Sequence, residues 1–117
     1  MKKPKGYRLD SRKIEDPIIL KFIKDSKNLR ERIERIYLFG SRARGNEKPD
    51  SDYDLLIVAD HPDAKFREKI YDIVIDILLE TGKLISLKIF TGKEFRKLCQ
   101  AHTPFMKNIQ REGIRIG

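Results

Sequence analysis

Two apolar runs, joined through a glycine turn and an acidic segment, constrain the fold of this chain more than any other feature. The first run covers residues 33–39 and leads directly into Gly40 and Ser41. The second run carries Asp52 and Asp54 at its start and continues to residue 59. Apolar runs of this length predict buried strands, and the glycine predicts a tight turn into a short helix over residues 41–45. The expected order is strand, turn, short helix, loop over residues 45–51, and strand.

The acidic segment and the glycine turn each carry groups that bind a charged ligand. Side chains at i and i+2 share a face of a strand, so Asp52 and Asp54 are expected to hold one divalent cation between them. Ser41 and the backbone N–H groups that open the following helix would face an anion, most simply a phosphate chain. Together they predict a site for a metal and a nucleotide.

Each half of this pattern also has an ordinary structural interpretation. Gly40-Ser41 alone is a common strand-to-helix turn, and an Asp-x-Asp sequence alone can be a solvated strand end. A calcium loop of the EF-hand type is excluded, because Leu55 replaces its glycine and His61 its closing glutamate. A P-loop is excluded by the absence of Gly-Lys-Ser/Thr. The coupling of the two halves at this spacing favours the metal–nucleotide interpretation.

This stretch resembles the motif of the polymerase beta-like nucleotidyltransferase superfamily: Gly40-Ser41, a spacer from Arg42 to Ser51, and Asp52-x-Asp54. The chain is most similar to the minimal nucleotidyltransferases, small prokaryotic proteins that often accompany a helical HEPN partner as its antitoxin. The resemblance runs from about residue 33 to the end, and the segment 104–114 is typical of these proteins.

The resemblance implies an α+β fold, a small mixed β-sheet with helices packed on it in two layers, whose first two strands are antiparallel. It implies that Asp52 and Asp54 are catalytic and bind Mg²⁺, or Mn²⁺ in its place. The resemblance also implies that the nucleotide is bound by Gly40, Ser41, Arg42 and Arg44. The residues themselves leave two readings of Arg42 and Arg44 open: contact with phosphate, or pairing with nearby carboxylates.

One departure from the superfamily pattern lies on the third predicted strand. Active members usually supply a third carboxylate there, whereas this chain offers Ser86 or Lys88 at the positions expected to face the site. An ammonium group cannot recruit a metal ion or accept a hydroxyl proton while it is charged. The substitution favours reduced or altered catalysis over a different fold.

The length of 117 residues allows one domain, predicted over residues 11–117, preceded by a basic arm at residues 1–10. A partner or a second copy, as in a homodimer, is expected to cover part of so small a core. The net charge of +8 attracts polyanions, but a solvated surface rich in Lys, Arg and Glu explains it more simply than a nucleic-acid face. The single cysteine, Cys99, and the lack of a long apolar run predict a cytoplasmic protein with no membrane segment.

The remaining pattern predicts helices and one further strand around this centre. Asp16-Pro17 should begin a helix whose apolar positions recur as far as Ile33. A second helix should follow residues 60–63, bury a stripe that ends with Leu78, and stop at Gly82. Residues 84–90 read as a strand with Leu84, Ser86 and Lys88 on one face, followed by helices that start near Thr91 and Pro104 and a short edge strand at residues 114–116.

Two functions remain open from the sequence. The first is an enzyme that transfers a nucleoside monophosphate, expected to be AMP from ATP, to a hydroxyl group on a HEPN-type helical protein partner. The second is an interaction protein of the same fold with a weak or inactive site, acting as an antitoxin. A basic nucleic-acid-binding domain is a third alternative, which the net charge of +8 keeps open.

Overall fold

The computed structural model describes residues 15–117. The predicted arm at residues 1–10 lies outside the described residues. The elements follow one another as α1 (Pro17–Asp25), a 3₁₀ helix (Lys27–Arg32), β1 (Ile33–Phe39), α2 (Ser41–Arg44), β2 (Tyr53–Ala59), α3 (Ala64–Thr81), β3 (Ile85–Thr91), α4 (Gly92–Ala101), α5 (Pro104–Glu112) and β4 (Ile114–Arg115).

The four strands form one mixed sheet in the order β3-β2-β1-β4. β1 is antiparallel to β2 and to β4, whereas β2 and β3 are parallel and are connected through α3, as a parallel pair requires. The register places Asp54 between Phe39 of β1 and Ser86 of β3, and it places Leu56 beside Lys88. The expected mixed sheet and its antiparallel first pair are confirmed.

Helices cover both faces of this sheet. On one face α1 and α3 pack on all four strands through a core that includes Phe22, Phe66 and Ile70. On the other face α4 and α5 form a smaller cluster, in which Phe95 and Met106 pack with residues of β1 and β2. The expected α+β sheet with packed helices is present, but it has a third layer that the two-layer expectation left out.

The N-terminal helix is shorter than its apolar pattern suggested. The Asp16 carboxylate accepts the Ile18 N–H at 2.8 Å and so begins α1, with Pro17 at the first helical position. The chain then tightens into the 3₁₀ helix before Ile33 begins β1. The expectation of one continuous helix was therefore wrong, because the apolar spacing of residues 26–33 is compatible with both kinds of helix.

The long helix α3 has the predicted ends but a narrower buried stripe. Asp63 accepts the Phe66 N–H at 2.8 Å, and Gly82 ends the helix with a φ of +74°. Leu78, expected in the core, is 37% exposed. Its position at the edge of the stripe turns it away from the sheet, a difference that spacing alone does not resolve.

No helix within residues 15–117 is both long and apolar enough to cross a membrane.

Candidate functional site

Asp52 and Asp54 lie at the end of the sheet where β2 begins. Asp54 is half-buried on β2, and Asp52 is exposed two residues earlier. Alternation along β2 directs Tyr53 to the opposite face, where its hydroxyl donates to the Asp16 carboxylate at 2.9 Å. Asp54 shares its face with Leu56 and therefore points to the side covered by α4 and α5.

The glycine turn is pressed against the second aspartate. Gly40 follows β1 with a φ of +73°, a conformation that a residue with a side chain rarely adopts. A Cβ atom at Gly40 would overlap Oδ2 of Asp54 and would lie 3.1 Å from its Cγ. Both the backbone angle and the close approach therefore require glycine here, and the start of α2 is held beside the Asp54 carboxylate.

The site concentrates charge of both signs around Asp54. Burial raises the pKa of the Asp54 carboxyl above its usual range, and the neighbouring Asp52 carboxylate raises it further. Lys88 and Arg44 oppose this shift through their positive charges. Charged groups from β3, α2 and the residue before β2 thus all act electrostatically on Asp54 of β2.

The structure locates both candidates for the missing carboxylate on the face of the site. Ile85 and Ile89 point into the core under α3, so Ser86 and Lys88 alternate to the other face. Ser86 is in register with Asp54. Lys88 acts on Asp54 electrostatically, and its Nζ lies 5.7 Å from the ring centroid of Phe105.

Arg42 holds the loop that joins the glycine turn to the aspartates. Its side chain is almost fully buried, Nε donates to the Ser51 carbonyl at 3.0 Å, and the guanidinium lies 3.9 Å from the Tyr53 ring centroid. These contacts fix the loop immediately before Asp52. The structure therefore places the Arg42 guanidinium against backbone carbonyls, and its predicted contact with a nucleotide stays a prediction.

Arg44 pairs with a carboxylate that the sequence did not single out. Its Nη1 lies 3.3 Å from Oε2 of Glu112, at the end of α5. Gly40, Arg44, Phe105 and Glu112 line a cavity of about 110 Å³ between the glycine turn and α5. The sequence did not indicate Glu112 or Phe105 as site residues, because they lie more than sixty positions after Gly40 and the resemblance of the segment 104–114 assigns them no role.

Ser41 begins α2 directly after Gly40, and its carbonyl accepts the Asn46 N–H at 3.2 Å. Asp50 is exposed in the turn before β2. His61 follows β2 at the opposite end of that strand, and His102 ends α4 with a φ of +53°. Both histidines are exposed at the ends of elements, and His61 is separated from the aspartates by the length of β2.

The donor set fits a hard divalent cation that keeps several ligands from water or substrate. In the part of the chain that the structure describes, no three His, Cys, Asp or Glu side chains are placed to hold a metal ion together. Two neighbouring carboxylates, Asp52 and Asp54, are nevertheless the protein ligands that Mg²⁺ commonly uses beside the phosphates of a nucleotide. The residues present therefore suit a metal shared with a substrate better than an all-protein metal cage.

Two relatives from Methanocaldococcus jannaschii match most of the chain. The "Putative protein adenylyltransferase MJ0604" is 34% identical over 100 residues, covering 85% of this chain and 94% of the relative. The "Putative protein adenylyltransferase MJ0141" is 35% identical over 101 residues, covering 85% and 95%.

Two solved structures share the fold at lower identity. A crystal structure of a toxin–antitoxin with AMP-PNP superposes with a TM-score of 0.53 at 18% identity, over 84% of this chain and 71% of the other. A mutant of the toxin–antitoxin MntA–HpeT gives a TM-score of 0.51 at 19% identity, over 93% and 73%. The family model described as "Polymerase beta, Nucleotidyltransferase" matches residues 21–117. With the glycine turn and the aspartate pair inside that match, the chain belongs to the polymerase beta-like nucleotidyltransferase family.

Proposed function

We propose that this protein transfers AMP from ATP to a hydroxyl group on a protein partner, with Mg²⁺ bound by Asp52 and Asp54. The observation that carries the proposal is the Asp54 carboxylate packed directly against Gly40, with the Asp52 carboxylate close enough to act on it electrostatically. The names of the two archaeal relatives support a protein acceptor, and the nucleotidyltransferase family supports the reaction class.

In this reaction a hydroxyl oxygen attacks the α-phosphorus of ATP, the bond from that phosphorus to the bridging oxygen breaks, and pyrophosphate leaves. The bound cation supplies charge neutralisation for the phosphates. Asp52 and Asp54 would hold it. Gly40 would leave room for the phosphate chain, and backbone N–H groups at Ser41 would donate to it. Arg44 adds a positive charge beside Asp54. Arg42 keeps the loop before Asp52 in place.

Lys88 is proposed to occupy the position of the third carboxylate. It lies two residues further along β3 than Ser86, on the same face, and interacts electrostatically with Asp54. A positive charge at this point repels a second cation, so the site is expected to hold one metal ion. The proton of the attacking hydroxyl must then leave through another group, which the partner or solvent would supply.

A second candidate function is that of an interaction protein whose site transfers AMP weakly or not at all. Lys88 favours this alternative, because it replaces a group that active family members usually need. Both candidates assign the protein a helical partner, expected to be of the HEPN type, and the toxin–antitoxin neighbours support a partner of that general kind. They differ only in whether the partner becomes covalently modified.

The deciding experiment is to incubate the co-purified partner with ATP labelled at the α- or the γ-phosphate, in the presence of Mg²⁺. AMP transfer labels the partner from α-labelled ATP only, and Asp52→Asn abolishes the labelling, whereas the matched change Asp50→Asn leaves it. Labelling from the γ-phosphate would contradict the reaction class. A partner that stays bound without any label would establish the second candidate, and retention of RNA or DNA alone would contradict both.

A further inference from the structure

The outer surface of α3 is more apolar than a solvated helix requires. Tyr71, Ile75, Leu78 and Leu79 recur at spacings of three and four residues, so they form one strip along the helix. Ile75 is 50% exposed and Leu79 is 78% exposed. Neighbouring exposed apolar side chains on one strip are characteristic of interaction sites, whereas isolated ones are ordinary.

This strip faces away from the rest of the described molecule. The core stripe of α3, which includes Phe66, Ile70 and Ile77, points into the sheet. On another side of the helix Glu80 pairs with Lys21 of α1 at 2.8 Å. The strip therefore lies on the side of α3 that faces neither the sheet nor α1. No other described helix covers it.

Carboxylates border the strip. Residues 71–81 contain Asp72, Asp76 and Glu80 but no lysine or arginine, in a chain whose net charge is +8. Among residues 15–117 the structure gives Asp72 and Asp76 no ion-pair partner. A ligand of this surface must accordingly bring apolar side chains for the strip and positive charges for its border.

The same charges disfavour a second copy of the chain as the occupant. A two-fold interface brings the same patch of both copies together, so the carboxylates of one copy would approach those of the other. Like charges placed against each other in an interface are costly. A partner helix with an apolar stripe flanked by Lys or Arg meets both requirements.

The strip leads towards the candidate site. Gly82 ends α3, and Leu84 then lies exposed just before β3. The carbonyl of Leu84 accepts the Tyr53 N–H at 2.9 Å, which places it beside the aspartates. A helix on α3 can therefore continue around the edge of the sheet towards Asp52.

We propose that the outer surface of α3, formed by Tyr71, Ile75, Leu78 and Leu79 with Asp72 and Asp76, binds a partner helix that carries an apolar stripe flanked by basic residues. One consequence rests on the proposed function: this contact would bring the acceptor hydroxyl to the end of the sheet that bears Asp52. The contact itself is independent of catalysis.

Two helical peptides with the same leucine stripe, one flanked by lysine and the other by glutamate, test the proposal by fluorescence anisotropy. The affinity of the lysine-flanked peptide is expected to be at least about tenfold higher than that of the glutamate-flanked peptide. Asp72→Lys combined with Asp76→Lys should reverse this preference. Leu79→Asp should weaken both peptides, while the matched control Leu20→Asp, at an exposed apolar position of α1, should not.

Equal binding of the two peptides, or unchanged binding by Leu79→Asp, would overturn the proposal. So would a wild-type dimer in sedimentation that Leu79→Asp dissociates, because the surface would then belong to a second copy. All substituted side chains are exposed, so thermal melting and Mg²⁺–ATP binding should stay as in the wild type. If peptide binding holds but no AMP is transferred, the proposed function fails and the docking surface stands.

Discussion

The two faces of the sheet differ in what they contribute. The face under α1 and α3 holds an extensive apolar core that draws on all four strands. The face under α4 and α5 holds a smaller cluster around Tyr37, Leu56 and Phe95. At the start of β2 this face bears the half-buried Asp54 and the exposed Lys88, beside the cavity between the glycine turn and α5. One face mainly stabilises the fold, and the other leaves space for chemistry.

The electrostatics follow the same division. Beneath the larger core the Tyr53 hydroxyl donates to the Asp16 carboxylate, and burial together with this hydrogen bond raises the pKa of Tyr53 to about 12. On the opposite face, burial raises the pKa of the Asp54 carboxyl, and the Asp52 carboxylate raises it further. A small protein can maintain such a pair because its stability derives largely from the other face.

Removing core volume should break this comparison most strongly. Phe66→Ala empties a fully buried position in the larger core and is expected to lower the free energy of unfolding by about 3–5 kcal/mol. The loss in the free energy of unfolding for Phe95→Ala, in the smaller cluster, should be at or below the lower end of that range, because the surroundings of Phe95 can relax towards solvent. Urea denaturation of both variants measures the difference. Equal losses would show that the two faces stabilise the fold equally.

Neutralising the aspartates should separate stability from binding. Asp52→Asn and Asp54→Asn are expected to weaken Mg²⁺-dependent ATP binding by about tenfold or more, whereas Asp50→Asn, in the exposed turn, should have little effect. Calorimetry with and without Mg²⁺ provides the measurement. Similar affinities for the three variants would remove the assignment of Asp52 and Asp54.

The pKa of Asp54 gives this substitution an additional signature. Because that pKa is raised in the folded protein, the ionised carboxylate opposes folding at pH 7, and the penalty disappears as the pH falls through the folded value. Asp54→Asn should therefore melt at or above the wild-type temperature at pH 7, and this gain should vanish in acid. A lower melting temperature for the variant at pH 7 would contradict the sign of the shift.

The sequence predicted the fold well where local patterns determine it. The runs at residues 33–39 and 52–59 each specify a strand, and the proline after Asp16 and the glycine at position 82 specify the start of one helix and the end of another. It also predicted that Ser86 and Lys88 share a face, because alternation along a strand is independent of the rest of the chain.

What the sequence could not predict depends on contacts between distant residues. The pairing of Arg44 with Glu112 and the overlap of a Gly40 side chain with Asp54 arise only after the sheet and α5 are assembled. Met106 is fully buried in α5, and the amphipathic spacing of so short a helix does not show how deeply each side chain lies. The role of Arg42 was also open, because its contacts with the Ser51 carbonyl and the Tyr53 ring form only when the loop has folded.

Changing the sign of the charge at Lys88 would sharpen the contrast between a one-cation and a two-cation site. Lys88→Asp places a third carboxylate on the face of Asp54 and is expected to add a second Mn²⁺ site, counted by calorimetry or by metal peaks in a soaked crystal. Ser86→Asp serves as the matched change at the neighbouring position in register with Asp54. Two well-occupied metal positions in the unmodified protein would contradict the proposed role of Lys88.

The smallest expected effect concerns Arg44, which lies where the glycine turn meets α5. Its ion pair with Glu112 is largely exposed, so Arg44→Gln should change the free energy of unfolding by about 1 kcal/mol or less. Arg44 also lowers the pKa of Asp54, so its removal should raise that pKa further and move the acidic loss of Mg²⁺-dependent ATP binding to higher pH. Arg111→Gln provides the control, since Arg111 bonds Asn108 within α5 and does not act on Asp54. A binding profile that shifts equally in both variants would assign the effect to net charge, and the local contact between Arg44 and the aspartates would lose its support.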